Sequence, residues 1–231
     1  MIDLHGFGDQ LLQGAATTIV IAATSVVFGL PLGIGGAAAK LGGGRFLRAY
    51  AEIYTTVVRG VPDLLIIFVI YFGGTVTLSK VFGRYMEVSA FASGVFALSI
   101  VFGAYATEIF RGAIQAVPRG QVEAANALGI SPLRVFALVI LPQAWRLALP
   151  ALGNQWLILL KQTSLVSIVG LDELMRKSAV AAGATREPFT IYLAAAAIYL
   201  SLTLLSTIRS VPTFIRRDSV GWLKFQCVHR G

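Results

Sequence analysis

Five long apolar stretches limit what this chain of 231 residues can fold into. They cover residues 14–39, 51–74, 91–110, 147–170 and 189–211. Each is long enough to cross the roughly 30 Å hydrocarbon core of a bilayer as a helix, which takes about 20 residues. Charged residues make up only 13% of the chain, against about 25% in an average soluble domain. The sequence therefore predicts an all-α integral membrane protein with five transmembrane helices.

Ionisable or amide side chains lie well inside three of these predicted spans. Ionisable side chains are expensive in lipid, so those that lie within a span are candidates for function. We predict that the following residues line a substrate pathway: Asp63, Glu108, Asn154, Gln155 and Lys161.

Structural roles are the alternative for each of these residues. Asp63 could pair with Arg59 instead. Glu108 could pair with Arg111, which follows one helical turn later. Lys161 could hold its helix to a neighbour through a carboxylate, a carbonyl or water. The two amides could form hydrogen bonds between helices.

The distribution of lysine and arginine predicts the orientation. If the N-terminus lies outside, the inner loops and the C-terminal tail hold twelve basic residues and the outer loops hold five. Cytoplasmic loops carry such an excess in membrane proteins. We therefore expect the N-terminus outside, and both the segment 111–146 and the C-terminus in the cytoplasm. The same distribution accounts for the net charge of +8 without nucleic-acid binding.

The first predicted span carries glycines at helical spacing. Gly29 and Gly33 form a Gly-x-x-x-Gly pattern, and Gly36 follows one turn later. Such glycines allow close packing of membrane helices, although glycine is also simply frequent there. We see no internal repeat, and predict one domain over residues 14–213 followed by a tail over residues 214–231.

The segment between the third and fourth spans has the clearest local pattern. Residues 123–128, EAANAL, favour a helix, and Gly129 follows where helices commonly end in a left-handed residue. Ser131 and Pro132 favour a new start, with serine as the cap and proline at the first helical position. An apolar helix should then continue until Pro142 ends or kinks it. We expect a short helix–turn–helix whose alanines let a partner's surface approach.

The spacing of this segment resembles the EAA loop of bacterial ABC-importer permeases. The pattern is Glu-Ala-Ala, three residues, glycine, ten residues and Ile-Leu-Pro. In that family the loop is the coupling helix, which rests in a cleft on the ATPase subunit and transmits nucleotide-driven closure to the membrane helices. The resemblance implies that four residues dock the ATPase: Glu123, Ala124, Ala125 and Gly129.

The resemblance extends over nearly the whole chain. Residues 59–62, RGVP, resemble an element of polar amino-acid permeases, and residues 103–113 and 149–171 resemble other parts of that subfamily. Asp63 and residues 187–189, EPF, look most like the Q-type subunit of histidine/lysine/arginine/ornithine permeases. Opine permeases are close relatives that remain an alternative.

Several expectations follow from the resemblance alone. It implies a type I importer (MetI-like) fold in the bacterial inner membrane, with the N-terminus in the periplasm. It implies a second, similar permease subunit, which makes a heterodimer, with a homodimer as the alternative. It also implies two ABC ATPase subunits and a periplasmic binding protein that delivers a polar, basic amino acid.

Other site motifs are missing or out of context. No Gly-x-x-x-x-Gly-Lys-Ser/Thr sequence occurs, so ATP and Mg²⁺ are expected in the partner ATPase and not in this chain. Residues 33–38 fit Gly-x-Gly-x-x-Ala but lie in an apolar span, not after a strand. Cys227 is the only cysteine, and His5 and His229 lie at opposite chain ends, so we expect no metal site and no cofactor.

Two other classes of protein are weighed against the importer. A secondary transporter or channel could use Asp63 or Glu108 as an ion site, but the chain has no visible internal repeat. A membrane-bound enzyme would need a nucleophile, base and acid in combination, and we find no convincing set.

Overall fold

The computed structural model describes residues 6–210, with side chains as far as Thr207. The predicted tail, with Trp222 and Cys227, lies outside the described residues. Within them every regular element is a helix. The α-helices are α1 (Gly8–Gly42), α2 (Arg45–Gly60), α3 (Asp63–Phe82), α4 (Ala90–Gln115), α5 (Arg119–Ala127), α6 (Pro132–Val135), α7 (Leu141–Gln162), α8 (Leu174–Thr185) and α9 (Pro188–Ser210).

Five helical runs of the described chain are long and apolar enough to cross a membrane. They are Gly8–Gly42, Asp63–Phe82, Ala90–Gln115, Pro132–Val169 and Pro188–Thr207. The predicted number of spans is therefore confirmed, while the bounds of the second and fourth differ.

The second span was expected as one helix over residues 51–74, and this expectation is wrong. The chain breaks between α2 and α3, where Val61 is extended (φ −99°, ψ 138°) and Pro62 follows. Proline lacks the N–H that would continue the helix, and it disfavours helical geometry in the residue before it. Asp63 consequently stands in the first turn of α3, and not within a continuous helix.

The fourth helical run begins at Pro132, which is 15 residues earlier than expected from the predicted start at residue 147. Pro142 was expected to end or kink the helix, and it does not end it. A π-helical turn, Phe136–Ile140, links α6 to α7 immediately before this proline. Such turns commonly accommodate an irregularity within a helix. The cytoplasmic segment predicted as 111–146 is therefore mostly helical, and its second half is continuous with the fourth span.

α1 and α4 form the centre of the molecule, where they pack side by side in parallel. Cβ atoms built on Gly29 and Gly33 would lie 2.8 Å from Phe102 Cδ1 and 2.5 Å from Ala106 Cβ on α4. A Cβ on Gly36 would likewise meet the Thr107 side chain. Only glycine leaves room for this approach, so the close packing predicted from these glycines is confirmed.

α8 lies between the fourth and fifth spans, a segment expected only as an outer loop. Glu173 caps it, accepting hydrogen bonds from the backbone N–H groups of Met175 (2.9 Å) and Arg176 (2.8 Å). The same buried carboxylate accepts from Tyr199 (3.1 Å) on α9 and Thr18 (3.4 Å) on α1. These bonds fasten α8 onto two spans. Burial raises the pKa of Glu173, although the backbone donors oppose that shift.

Candidate coupling and substrate surfaces

The turn after α5 has the geometry that its sequence predicts. Gly129 is left-handed, with φ +71°. Its N–H donates to the carbonyl of Asn126 (2.9 Å), and the N–H of Ile130 donates to that of Ala125 (3.3 Å). This pair of bonds is a Schellman motif, which closes a helix and reverses the chain. Ser131 then occupies the N-cap position of α6, with Pro132 first in the helix, but the serine side chain makes no capping bond.

The predicted docking residues divide between the surface and the interior. Glu123 and Ala124 are exposed on α5, whereas Ala125 is only 6% exposed and packs within the chain. Leu128 and Leu133, on either side of the turn, are 80% and 79% exposed. Leucine side chains this exposed to water are energetically unfavourable. The pair is therefore suited to contact with an apolar surface of a partner protein. The candidate docking surface is therefore Glu123, Ala124, Leu128 and Leu133, together with the exposed turn at Gly129, while Ala125 is buried beneath it.

This docking surface is connected to the fourth span in two ways. The Gln143 amide donates to Gln121 on α5 (2.6 Å) and to the carbonyl of Val139 (2.8 Å). In addition, the helical run from Pro132 to Val169 is unbroken. A displacement of the turn at Gly129 would therefore be carried into the transmembrane run by a stiff element.

A buried ion cluster joins α1, α2 and α4 near the start of the coupling segment. Lys40, in the last turn of α1, is 6% exposed. Its ammonium group contacts Glu52 (2.8 Å) and Thr55 (2.7 Å) on α2. It also contacts Glu108 (2.5 Å) on α4. Glu52 is 55% exposed, so the buried charge at the centre of the cluster is Lys40. Loss of both carboxylates would leave its ammonium group unpaired in the interior, at a cost of about 3–5 kcal/mol.

Glu108 therefore has two cationic partners. Besides Lys40, it accepts hydrogen bonds from Arg111 Nη2 (2.7 Å) and Nε (2.9 Å) one turn later on α4. The structural alternative raised for Glu108, a pair with Arg111, is thus present. Its role in a substrate pathway stays a prediction.

Asp63 has a different partner from the one the sequence suggested. Its carboxylate accepts a hydrogen bond of 2.6 Å from the Gln162 amide at the end of α7. Arg59 lies instead over the ring of Tyr105, 5.2 Å from its centroid. No ion pair between Asp63 and Arg59 forms in the described part of the chain. Within the described residues, no cation lies at ion-pair distance from the Asp63 carboxyl group.

Two polar residues of α7 lie on one exposed face of the helix. Asn154 and Lys161 are exposed and seven residues apart, so they share a face with the exposed Ile158. Gln155 is only 4% exposed, and its Nε2 has no hydrogen-bond partner within residues 6–207. A lysine facing the centre of a bilayer costs about 2.5–3.5 kcal/mol. This face is therefore better matched to protein or water than to lipid.

The sequence did not single out Lys40, Glu52 and Glu173 as important. Lys40 was counted as a loop charge, and only the folded packing brings it to Glu52 and Glu108. For Glu173 the local signal was weak, because the usual capping residues are Ser, Thr, Asp and Asn, and Glu is not among them. Across residues 6–210, no three histidine, cysteine or acidic side chains come together as a metal site.

Comparison with known proteins places this geometry in context. Residues 29–211 match the family described as binding-protein-dependent transport system inner membrane component. The chain is 49% identical over 207 residues to a nopaline transport system permease protein of Agrobacterium fabrum, covering 87% of this chain and 88% of that one. It is 40% identical over 224 residues to a histidine/lysine/arginine/ornithine transport system permease protein of Escherichia coli, covering 94% and 97%.

Solved structures agree with the fold. An amino acid ABC transporter crystallised with histidines matches with a TM-score of 0.82 at 34% identity, covering 90% of this chain and 94% of that one. The MetNI methionine ABC transporter in an inward-facing conformation matches with a TM-score of 0.66 at 18% identity, covering 88% and 92%. The second match shows the fold alone.

Proposed function

Because the chain belongs to the family of inner membrane components of binding-protein-dependent transport systems, we propose that it moves basic amino acids or opines across the bacterial inner membrane. It is a permease subunit of an ABC importer with the type I fold. A separate ATPase powers it and a periplasmic binding protein supplies the substrate. The proposal rests mainly on the exposed turn around Gly129. Two exposed leucines, Leu128 and Leu133, flank this turn, and the fourth span begins directly after it.

The partners follow from the same surfaces. Each of two ATPase subunits would bind one turn of the kind found around Gly129. A second permease subunit would complete the membrane-spanning part of the complex. A heterodimer is our preferred arrangement, since the relatives include Q-type subunits. The exposed polar face of α7 supports a second subunit, because lipid is a poor neighbour for Asn154 and Lys161.

Charge reversal at the coupling helix tests the docking. Glu123→Lys should reduce ATP-driven uptake at least about tenfold, because like charges or an unpaired charge at a docking surface cost several kcal/mol. The variant should still insert into the membrane, since Glu123 is exposed and contributes nothing to the packing of the spans. Uptake into membrane vesicles and co-purification of the ATPase measure the two effects.

A matched control is available in Asp172→Lys. It also reverses an exposed carboxylate, but on the far side of the fourth span from α5. This variant should keep the ATPase bound. Loss of the ATPase from both variants, or from neither, would contradict docking at α5.

The proposed orientation puts α5 in the cytoplasm and α8 in the periplasm. The excess of basic residues in the inner segments supports it. Reporter enzymes fused after residue 115 should lie in the cytoplasm, and those fused after residue 180 should lie in the periplasm. A pair of reporter enzymes, each active on only one side of the membrane, measures this. The reverse pattern would remove the coupling turn from reach of any cytoplasmic ATPase.

The substrate class follows from Asp63 and from the relatives. Proteins similar to this chain are named for nopaline, octopine, arginine and histidine/lysine/arginine/ornithine transport. Compounds of this group carry a positive side chain, which the unbalanced carboxylate of Asp63 would attract more strongly away from bulk water. We assign to Asp63 the recognition of that positive group.

A further inference from the structure

α2 packs only lightly on the rest of the subunit. Its fully buried residues are Ala51 and Thr55, both small, and its outward face is exposed, with Phe46 at 89%. Tyr54 and Arg59 contact α4 through a neutral hydrogen bond and an aromatic ring. Because apolar burial within the subunit does little to fix α2, its charged contacts largely decide where it lies.

Lys40 is at the centre of these charged contacts. Its ammonium group reaches α2 at Glu52 (2.8 Å) and Thr55 (2.7 Å), and it reaches α4 at Glu108 (2.5 Å). Lys40 itself belongs to the last turn of α1, and its side chain is 2% exposed. A buried charge does not readily leave its partners, since water cannot replace them. The three helices are therefore joined at one point.

This point lies shortly before α5 and the turn at Gly129. Glu108 accepts a second hydrogen bond from Arg111 (2.7 Å), whose guanidinium group also donates to Gln115 (2.8 Å), the last residue of α4. Only residues 116–118 separate α4 from α5. A displacement of the turn at Gly129 would therefore reach α4 through this short connection, as well as entering the fourth span.

The other end of α2 is a break that adjoins Asp63. Val61 is extended (φ −99°) and Pro62 lacks an N–H, so the helix does not continue into α3. A short stretch of non-helical backbone lets two neighbouring helices change their relative angle, as hinge residues do. Asp63 follows directly and accepts a hydrogen bond of 2.6 Å from Gln162. A movement of α2 would thus act on Asp63.

We propose that Lys40 is a positioning residue for ATP-driven transport. Its ammonium group makes α2 follow the Gln115 end of α4, so that a displacement which enters at Gly129 also reaches Asp63 across the break at Val61–Pro62. Lys40 is buried within the subunit and acts only through the helices that it joins. This inference rests on the proposed import function, and it adds a second route from the ATPase to the membrane helices.

The experiment uses the complete complex of permease subunits, ATPases and binding protein in proteoliposomes. The double variant Glu52→Gln/Thr55→Val detaches α2 from Lys40 and keeps the pair of Lys40 with Glu108. Arg48→Gln is the matched control. It also removes one charge from the exposed surface of α2, but Arg48 belongs to no ion pair within the described residues.

Lys40→Met is the second test variant, since it removes the ammonium group and keeps an unbranched side chain. It should still assemble, because Glu108 retains Arg111 as a partner and Glu52 is 55% exposed to water. Two quantities are measured on the assembled complex. The first is substrate imported per ATP hydrolysed. The second is the distance between spin labels on Ile53→Cys in α2 and Val76→Cys in α3, with and without trapped ATP, after serine has replaced the native cysteines.

The expected result separates positioning from simple stability. In the wild type, ATP should change the distance between the two labels. Lys40→Met and Glu52→Gln/Thr55→Val should both abolish most of that change and lower the substrate imported per ATP at least about fivefold. Arg48→Gln should match the wild type in both measurements. A merely structural role would lower the yield of complex and leave both quantities unchanged in what assembles.

Three results would overturn the inference. In one, ATP leaves the distance between the labels unchanged in the wild type. In another, both test variants keep the wild-type distance change and the wild-type substrate imported per ATP. In the last, Arg48→Gln lowers both quantities as much as Lys40→Met does. A wild-type complex that imports neither a basic amino acid nor an opine would instead contradict the proposed function itself.

Discussion

Gly129→Val should uncouple ATP hydrolysis from uptake. Gly129 has φ +71°, and a left-handed conformation is a genuine outlier for a β-branched residue. The strain is of the order of 1–2 kcal/mol or more, which is enough to open the turn that closes α5. We expect the amount of substrate imported per ATP hydrolysed to fall at least about tenfold while the ATPase stays active. Proteoliposomes that report uptake and phosphate release together give this ratio.

Gly129→Asn provides the control for this variant. Asparagine accepts the left-handed conformation more readily than other residues with a side chain, so it should restore most of the coupling. No atom outside the turn lies within 4 Å of a Cβ at Gly129, so side-chain size by itself should have little effect. If Gly129→Asn and Gly129→Val uncouple equally, or if Gly129→Val is normally coupled, the geometry of this turn does not couple ATP hydrolysis to uptake.

Gly33→Leu should prevent the permease from assembling. A Cβ at Gly33 would lie 3.2 Å from the backbone carbon of Ala106 and 3.3 Å from the backbone nitrogen of Thr107. These are atoms of α4 that cannot rotate away. Overpacking of this kind costs about 1–3 kcal/mol or more, and here it acts on the two central helices. The amount of monodisperse complex after detergent extraction should fall several-fold, with a lower thermal midpoint in what remains.

Gly35→Leu makes the same change two residues away. Gly35 is exposed, and nothing lies within 4 Å of a Cβ built there. This variant should therefore behave like the wild type in size-exclusion profile and thermal midpoint. If both leucine variants assemble equally well, the α1–α4 contact does not determine the stability of the subunit.

The architecture was largely predictable because its main signals are local. A helix must satisfy its own backbone in lipid, so length and apolar composition suffice to count the spans. The left-handed residue at Gly129 was also predictable, since helix ends depend on a few neighbouring residues. The break at Pro62 was not predicted, because apolar composition alone does not show where a proline divides a helix.

The candidate substrate face was only partly predictable. Asp63 and Lys161 were selected because charge within an apolar stretch is itself a sequence signal. The partner of Asp63 was not predicted, because Gln162 and Asp63 are separated by 99 positions in the chain and meet only after α3 packs against the end of the fourth span. The same holds for Lys40, whose partner Glu108 lies 68 positions away.

By itself, the sequence determined the all-α membrane class, the five spans and the helix–turn–helix around Gly129. These depend on forces that act within one segment, namely the transfer of apolar side chains into lipid and the closing of helix ends. The tertiary structure alone decided which charges are paired, which alanine of the coupling helix is buried, and where Lys161 is left without a described partner. Such outcomes depend on distances between residues far apart in the chain, which are fixed only when α1, α4 and α7 pack together.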